Sequence, residues 1–182
     1  MKQLILLRHA KSDWSDPFET DQDRQLNKRG QAAAAKLGHY FKANNIQPDN
    51  VLCSSAARTR ETLSRIENAA QKRFTTTFTN ALYGAAVNDI LSLLHAQKAH
   101  HDTVLIVAHN LGIQDAALKL TANCESVLFS KIQEKVPTGS LILLHFDIKS
   151  FAHISLKSGE LHQFIRPKHE LIAALNSKKT KS

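Results

Sequence analysis

Aromatic residues make up only 6% of this 182-residue chain, which also holds just two cysteines, one methionine and one tryptophan. The scarcity of aromatics removes the stacking platforms that single-stranded nucleic-acid binders interleave with lysine and arginine. Nucleic acid is therefore not the expected partner. Cys53 and Cys124 lack metal-ligand spacing and sit in apolar sequence surroundings, which predicts two buried, reduced thiols and a cytoplasmic protein. No apolar stretch approaches the ~20 residues needed to span a bilayer. Leu4 to Leu7 is too short an apolar run for a signal-peptide core. Internal repeats, long linkers and low-complexity segments are absent as well.

What is present is a globular composition, 42% hydrophobic and 22% charged, in a length suited to one domain with its own core. The 24 basic residues exceed the 16 acidic ones, leaving a net charge of +8. An excess of that size points to an anionic partner. Part of it belongs to Lys178, Lys179 and Lys181, in a polar tail over residues 176–182 that is expected to fray from a domain spanning 1–175.

Apolar periodicity predicts alternating strands and helices. Leu4-Ile5-Leu6-Leu7 and Thr103 to Val107 read as strands buried on both faces. Val51 to Cys53 and Phe74 to Phe78 read as two shorter ones. Asn27 is a candidate N-cap for a helix that turns Ala33, Leu37, Tyr40 and Phe41 inward. Further helices are expected from Ser54-Ser55 through Leu63 and Ile66, from about Asn88 to Gln97, through Ala116 to Leu118, and over 168–176. Leu141 to Phe146 reads as a strand with Phe151 to Leu156 as its antiparallel partner. Residues 12–26, with Trp14, Pro17 and several acids, read as a loop. The pattern predicts a single-domain, three-layer α/β sandwich with a mainly parallel central sheet between helices.

Three of these strands lead into basic residues at one end. The first delivers Arg8 and His9, the second leads to Arg58, and the clearest delivers His109. Open α/β sheets place their ligands at the carboxyl ends of strands. Arginine offers a planar fork of donors matched to phosphate. Histidine offers a nucleophile or proton carrier near neutral pH. Arg58 and Arg60 in the first turn of a helix oppose its dipole unless an anion sits among the amides. A local salt bridge to Glu61 is the alternative for Arg58, and a core histidine bonded to a backbone carbonyl is the alternative for His109. Two arginines and two histidines at one sheet edge favour a phosphate pocket.

Arg8-His9-Ala10-Lys11 resembles the signature of the histidine phosphatase superfamily. Ser54 to Thr62 is similar to that family's Ser-x-x-x-Arg-x-x-x-Thr segment, and Val107 to Asn110 to its second-histidine segment. Arg24 to Gly30, Pro137 to Ser140 and Arg166-Pro167-Lys168 look like its short SixA-type phosphohistidine phosphatase branch. The resemblance implies the histidine phosphatase-like fold. It implies His9 as a nucleophile that becomes a phosphohistidine, with Arg8, Arg58 and His109 holding the phosphoryl oxygens. Lys11 and Arg24 are further candidates to face the phosphate. No cofactor is implied, and no His, Cys or acid cluster has the spacing of a metal site.

One departure bears on the substrate. Superfamily members acting on phosphomonoesters commonly carry a glutamate after the third strand to protonate the leaving oxygen. Here that region reads Leu82-Tyr83-Gly84-Ala85-Ala86-Val87, with no acid before Asp89. Asp89, Asp13 and Asp16 are the candidate donors. Ser12, Ser15 and Asn110 are read as ordinary cap or loop residues. An alkoxide leaving group needs a positioned acid, whereas the imidazole of phosphohistidine is far less basic. The sequence therefore predicts a phosphatase acting on phosphohistidine of a signalling phosphotransfer protein. The alternatives are a small-molecule phosphomonoesterase and a non-catalytic phosphate- or nucleic-acid-binding module.

Overall fold

The computed structural model describes residues 1–168 and Leu171. The helix expected over 168–176 and the tail at 176–182 fall almost wholly outside these. Six strands form one sheet: β1 (Lys2–Arg8), β2 (Asn50–Ser54), β3 (Thr76–Thr79), β4 (Thr103–Ala108), β5 (Leu141–Phe146) and β6 (Glu160–Ile165). Their order across the sheet is β3-β2-β4-β1-β5-β6. The first four strands run parallel, with β1 paired to β4 and β4 to β2, while β5 pairs antiparallel with β1 and β6 antiparallel with β5.

Both faces are covered, which explains the unbroken apolar runs of β1 and β4. Leu4, Leu6, Val104 and Ile106 turn to one face, beneath α3 (Val87–His95) and α4 (Gly112–Leu120). Ile5, Leu7, Leu105 and Val107 turn to the other, beneath α1 (Lys28–Ala43) and α2 (Ala57–Ala70). The result is the expected three-layer sandwich. Asn27 does cap α1, its Oδ1 accepting from the Gly30 N–H at 2.9 Å. On that helix Ala34 rather than Ala33 is fully buried.

α1 and α2 approach closely at Gly38, where a Cβ would stand 2.4 Å from the Ile66 carbonyl oxygen. Among the described residues, no helix is long and apolar enough to cross a membrane.

Three expectations need correction. Phe151 to Leu156 is not the partner of β5; Phe151–His153 is a single 3-10 turn, and β6 takes the antiparallel place. Phe151 and Ile154 are core residues spaced for a turn rather than alternating along a strand. Ser54 closes β2, so α2 begins only at Ala57. Cys53 is buried as expected, but Cys124 is exposed, in the connection between α4 and α5 (Val127–Glu134). That last helix packs Ile132 and Leu128 against the core, where no element is expected from the sequence.

Candidate active site

The carboxyl ends of β1, β2 and β4 lie side by side, and they bring the separate basic segments together. Arg8 ends β1 and His9 follows it, while His109 follows the last residue of β4. The ring centroids of His9 and His109 are 5.1 Å apart. Arg58 enters from the first turn of α2 and is buried, with 6% of its surface exposed.

The Ser-x-x-x-Arg-x-x-x-Thr segment explains how this cluster is held. Ser54 Oγ lies 2.9 Å from Nε2 of His109. Two turns on, Thr62 Oγ1 accepts from the Ala10 N–H at 3.0 Å and donates to the Arg58 carbonyl at 2.6 Å. The strand end and helix therefore fix His109 from one side and the residue after His9 from the other. Sequence reading marked Ser54 and Thr62 as motif members without revealing these bonds.

His9 is 7% exposed, and its Nδ1 lies 2.7 Å from the Ala10 carbonyl oxygen. A carbonyl can only accept, so Nδ1 carries the proton and Nε2 keeps its lone pair. Burial pushes the His9 pKa down to about 3, helped by the charges of Arg58 and Arg8. Burial likewise lowers His109 to about 4, with Arg58 the next cause. Both imidazoles are neutral at pH 7.

Among the described residues, six buried side-chain polar atoms have no partner, and four of them cluster here: Arg8 Nε, Arg24 Nε, His109 Nδ1 and Asn110 Oδ1. Buried polar groups are normally satisfied. Three of the four are nitrogens able to donate, which is the donor set an oxyanion would complete.

The carboxylate nearest this cluster was not among the expected acids. Asp21, in the loop between β1 and α1, accepts from Nη2 of Arg58 at 3.0 Å, and also from Arg24 and the Tyr83 hydroxyl. Its backbone carbonyl accepts from Nη1 of Arg58. The Tyr83 hydrogen bond, reinforced by Arg24 and Arg58, holds the Asp21 carboxyl well below the usual carboxylate range. The one signal in sequence was its spacing three residues before Arg24. Arg58 thus does have an ion-pair partner, but it is Asp21; Glu61 instead pairs with Arg65 and accepts from the Leu26 N–H.

The remaining candidates are distributed differently. Arg8 directs Nη1 to the Val136 carbonyl at 2.6 Å. Arg24 is buried, stacked on the Trp14 ring with 3.4 Å to its centroid. Lys11 is exposed and lines an adjoining groove. Arg60 leaves the cluster for the ring of Phe78. Asp89 caps α3, accepting from the Ala86 N–H at 2.8 Å, and Asp13 and Asp16 accept from the backbone of their own turns. Among the described residues, no group of three or more His, Cys, Asp or Glu could hold a metal ion.

Two uncharged histidines among buried, under-satisfied guanidinium groups at the strand ends of this fold define a phosphate-handling enzyme of the phosphatase class. The family model of the histidine phosphatase superfamily (branch 1) matches residues 4–82. An uncharacterized protein of Mycobacterium leprae is 32% identical over 166 residues, covering 89% of this chain and all of the relative. A structure from Nakamurella multipartitia, named for the phosphohistidine phosphatase SixA, superimposes with a TM-score of 0.80 at 26% identity, covering 91% of this chain and 96% of that one. One from Agrobacterium tumefaciens, named likewise, gives 0.75 at 28% identity, covering 91% and 99%. The chain belongs to the histidine phosphatase superfamily.

Proposed function

We propose that the protein hydrolyses phosphohistidine borne on another protein, with His9 as the nucleophile. The observation that carries this reading is the His9 ring, neutral at pH 7 and oriented by the Ala10 carbonyl so that Nε2 offers its lone pair. Nε2 attacks phosphorus, forming one N–P bond as the substrate's N–P bond breaks. A proton already on the distal ring nitrogen of the substrate lets its imidazole leave uncharged. Water then attacks the phosphorus on His9, releasing inorganic phosphate and regenerating the free imidazole. The proton lost by that water goes to the phosphate product and solvent.

Arg8, Arg58 and His109 supply donors to the phosphoryl oxygens, with Arg24 beside them. Charge spread over those oxygens in the transition state is what such donors stabilise. For His109 this requires a proton on Nδ1, which follows if the Ser54 hydroxyl donates to Nε2.

The carboxylate closest to the histidines argues for a phosphoramidate over an ester. Asp21 is held ionised by Tyr83, Arg24 and Arg58, and an ionised carboxylate has no proton to give an alkoxide. A protein substrate is supported by what surrounds the site. Trp14 is 74% exposed beside Arg24, and Leu111 is 71% exposed two residues after His109. Tyr83, also exposed, sits edge-on to His109 with 5.4 Å between ring centroids. Large apolar groups around a polar pocket mark a docking face for a macromolecule.

The test compares the native protein with His9→Ala on a phosphorylated phosphotransfer protein and on a simple phosphomonoester. Rapid loss of phosphate from the protein, reduced by at least about a thousandfold in the variant, is expected. Monoester hydrolysis that depends on His9 and outpaces the phosphoprotein reaction would overturn the substrate assignment.

A further inference from the structure

Beside the Arg8–Lys11 segment lies an open groove of about 410 Å³. Among the described residues, its charged lining consists of Lys11, Arg29, Lys36, Arg166 and Lys168, with no carboxylate. Among the described residues, Lys11, Arg29, Lys36 and Lys168 take part in no ion pair, whereas Lys2, Arg24, Arg58, Arg65 and Arg73 elsewhere in the fold do. Five like charges gathered around one concavity repel one another. Such a concentration raises the local density of anions and accelerates their encounter.

The walls between the charges are apolar. Ala33, Pro137 and Pro167 line the same groove, and the aliphatic stems of the lysines extend over apolar surface of this kind. A bare polyphosphate would use the charges and leave these walls wet. An acidic polypeptide segment with interspersed apolar side chains uses both. The chain's own last residues do not suit this role, since 173–182 carry Lys178, Lys179 and Lys181 and no acid.

Position gives the groove its relevance. Lys11 is two residues beyond His9, no more than about 7 Å along the backbone. Gly139, whose N–H donates to the His9 carbonyl at 2.9 Å, has Pro167 against it, 3.0 Å from where a Cβ would stand. A segment in the groove therefore lies next to the chain that carries the nucleophile. We propose that this groove docks an acidic segment of the phosphohistidine-bearing protein, an inference that rests on the substrate reading given above.

The test uses Arg29→Gln combined with Lys36→Gln, two exposed side chains with no contact to the histidine cluster. On a phosphorylated, acidic phosphotransfer protein, the double variant lowers kcat/KM by about tenfold, through KM, and flattens its dependence on salt. On free phosphohistidine its kcat/KM stays within about twofold of the native value. Equal loss on both substrates, or none on the protein, overturns the proposal. A second measurement needs no turnover: fluorescence anisotropy of a labelled peptide rich in aspartate, glutamate and leucine, with tripolyphosphate as the comparison probe. Peptide binding weakened about tenfold in the double variant supports the groove. Tripolyphosphate binding without peptide binding overturns it. If the native protein acts on no phosphohistidine substrate, the catalytic reading fails, and the peptide measurement still decides the groove.

Discussion

His9 and His109 are kept neutral chiefly by burial, and that burial has a measurable cost in acid. At pH values well above about 6.5 both imidazoles are neutral in the folded and the unfolded chain, so neither affects the balance. As pH falls below that value the unfolded chain takes up protons, while the folded chain resists until about pH 4 for His109 and about pH 3 for His9. Stability therefore drops through this window, by up to about 1.4 kcal/mol per pH unit for each histidine. Replacing His109 with glutamine removes one of the two contributions. Urea midpoints taken at pH 7 and pH 5 should then differ less for the variant than for the native protein. Equal differences would show that burial does not set the protonation of this ring.

Asp21 gives a second prediction at the same scale. Its carboxylate occupies guanidinium donors of Arg58 and Arg24 that a phosphoryl group would need. Asp21→Asn removes the charge and keeps the shape. Inorganic phosphate and tungstate are expected to inhibit this variant about tenfold more strongly, since a charged competitor for the two arginines has gone. Unchanged inhibition would mean that the carboxylate does not compete with the anion. Arg8, His9, Arg58 and His109 were all legible in the sequence, because each follows a recognisable strand or opens a recognisable helix. Asp21 was not. It lies 37 residues from Arg58 in an irregular loop, and no periodicity reports a contact of that kind.

Among the elements, β1 and β4 were the easiest to read, because strands covered on both faces show continuous apolar runs. β6 was missed since its outer residues are exposed and its alternation is weak. The closeness of α1 and α2 likewise leaves no mark beyond a single glycine. At Gly38 an added Cβ would also come within 2.6 Å of the Ala69 Cβ. Gly38→Ala gains about 1 kcal/mol in helix propensity. Overpacking against the backbone of the neighbouring helix costs roughly 1–3 kcal/mol, so net destabilisation is expected. A urea denaturation curve decides the sign, and a more stable variant would mean that the two helices separate freely.

For the whole molecule, the topology converts scattered sequence segments into two adjacent surfaces of different character. One is the pocket, with its neutral imidazoles and partly diverted arginines. The other is the neighbouring groove, where Lys11, Arg29, Lys36 and Lys168, in no ion pair among the described residues, account for part of the net charge of +8. Composition alone announced the charge but not its division. It was Arg29, Lys36 and Lys168, from a helix and a distant strand end, that the fold had to collect. Salt should accordingly weaken action on acidic proteins more than on small substrates.

The Asp21 contact also affects how the enzyme fares among ambient anions. A bare cluster of buried guanidinium groups would be saturated by any free phosphate around it, including the product of its own reaction. With a tethered carboxylate already in place, each visiting ion must win an exchange rather than fill a gap. An isolated phosphate brings little with which to win. A ligand anchored elsewhere on the surface, as in the proposed docking, would bring its local concentration along, and the resident side chain would then pass tethered phosphoryl groups ahead of free ones.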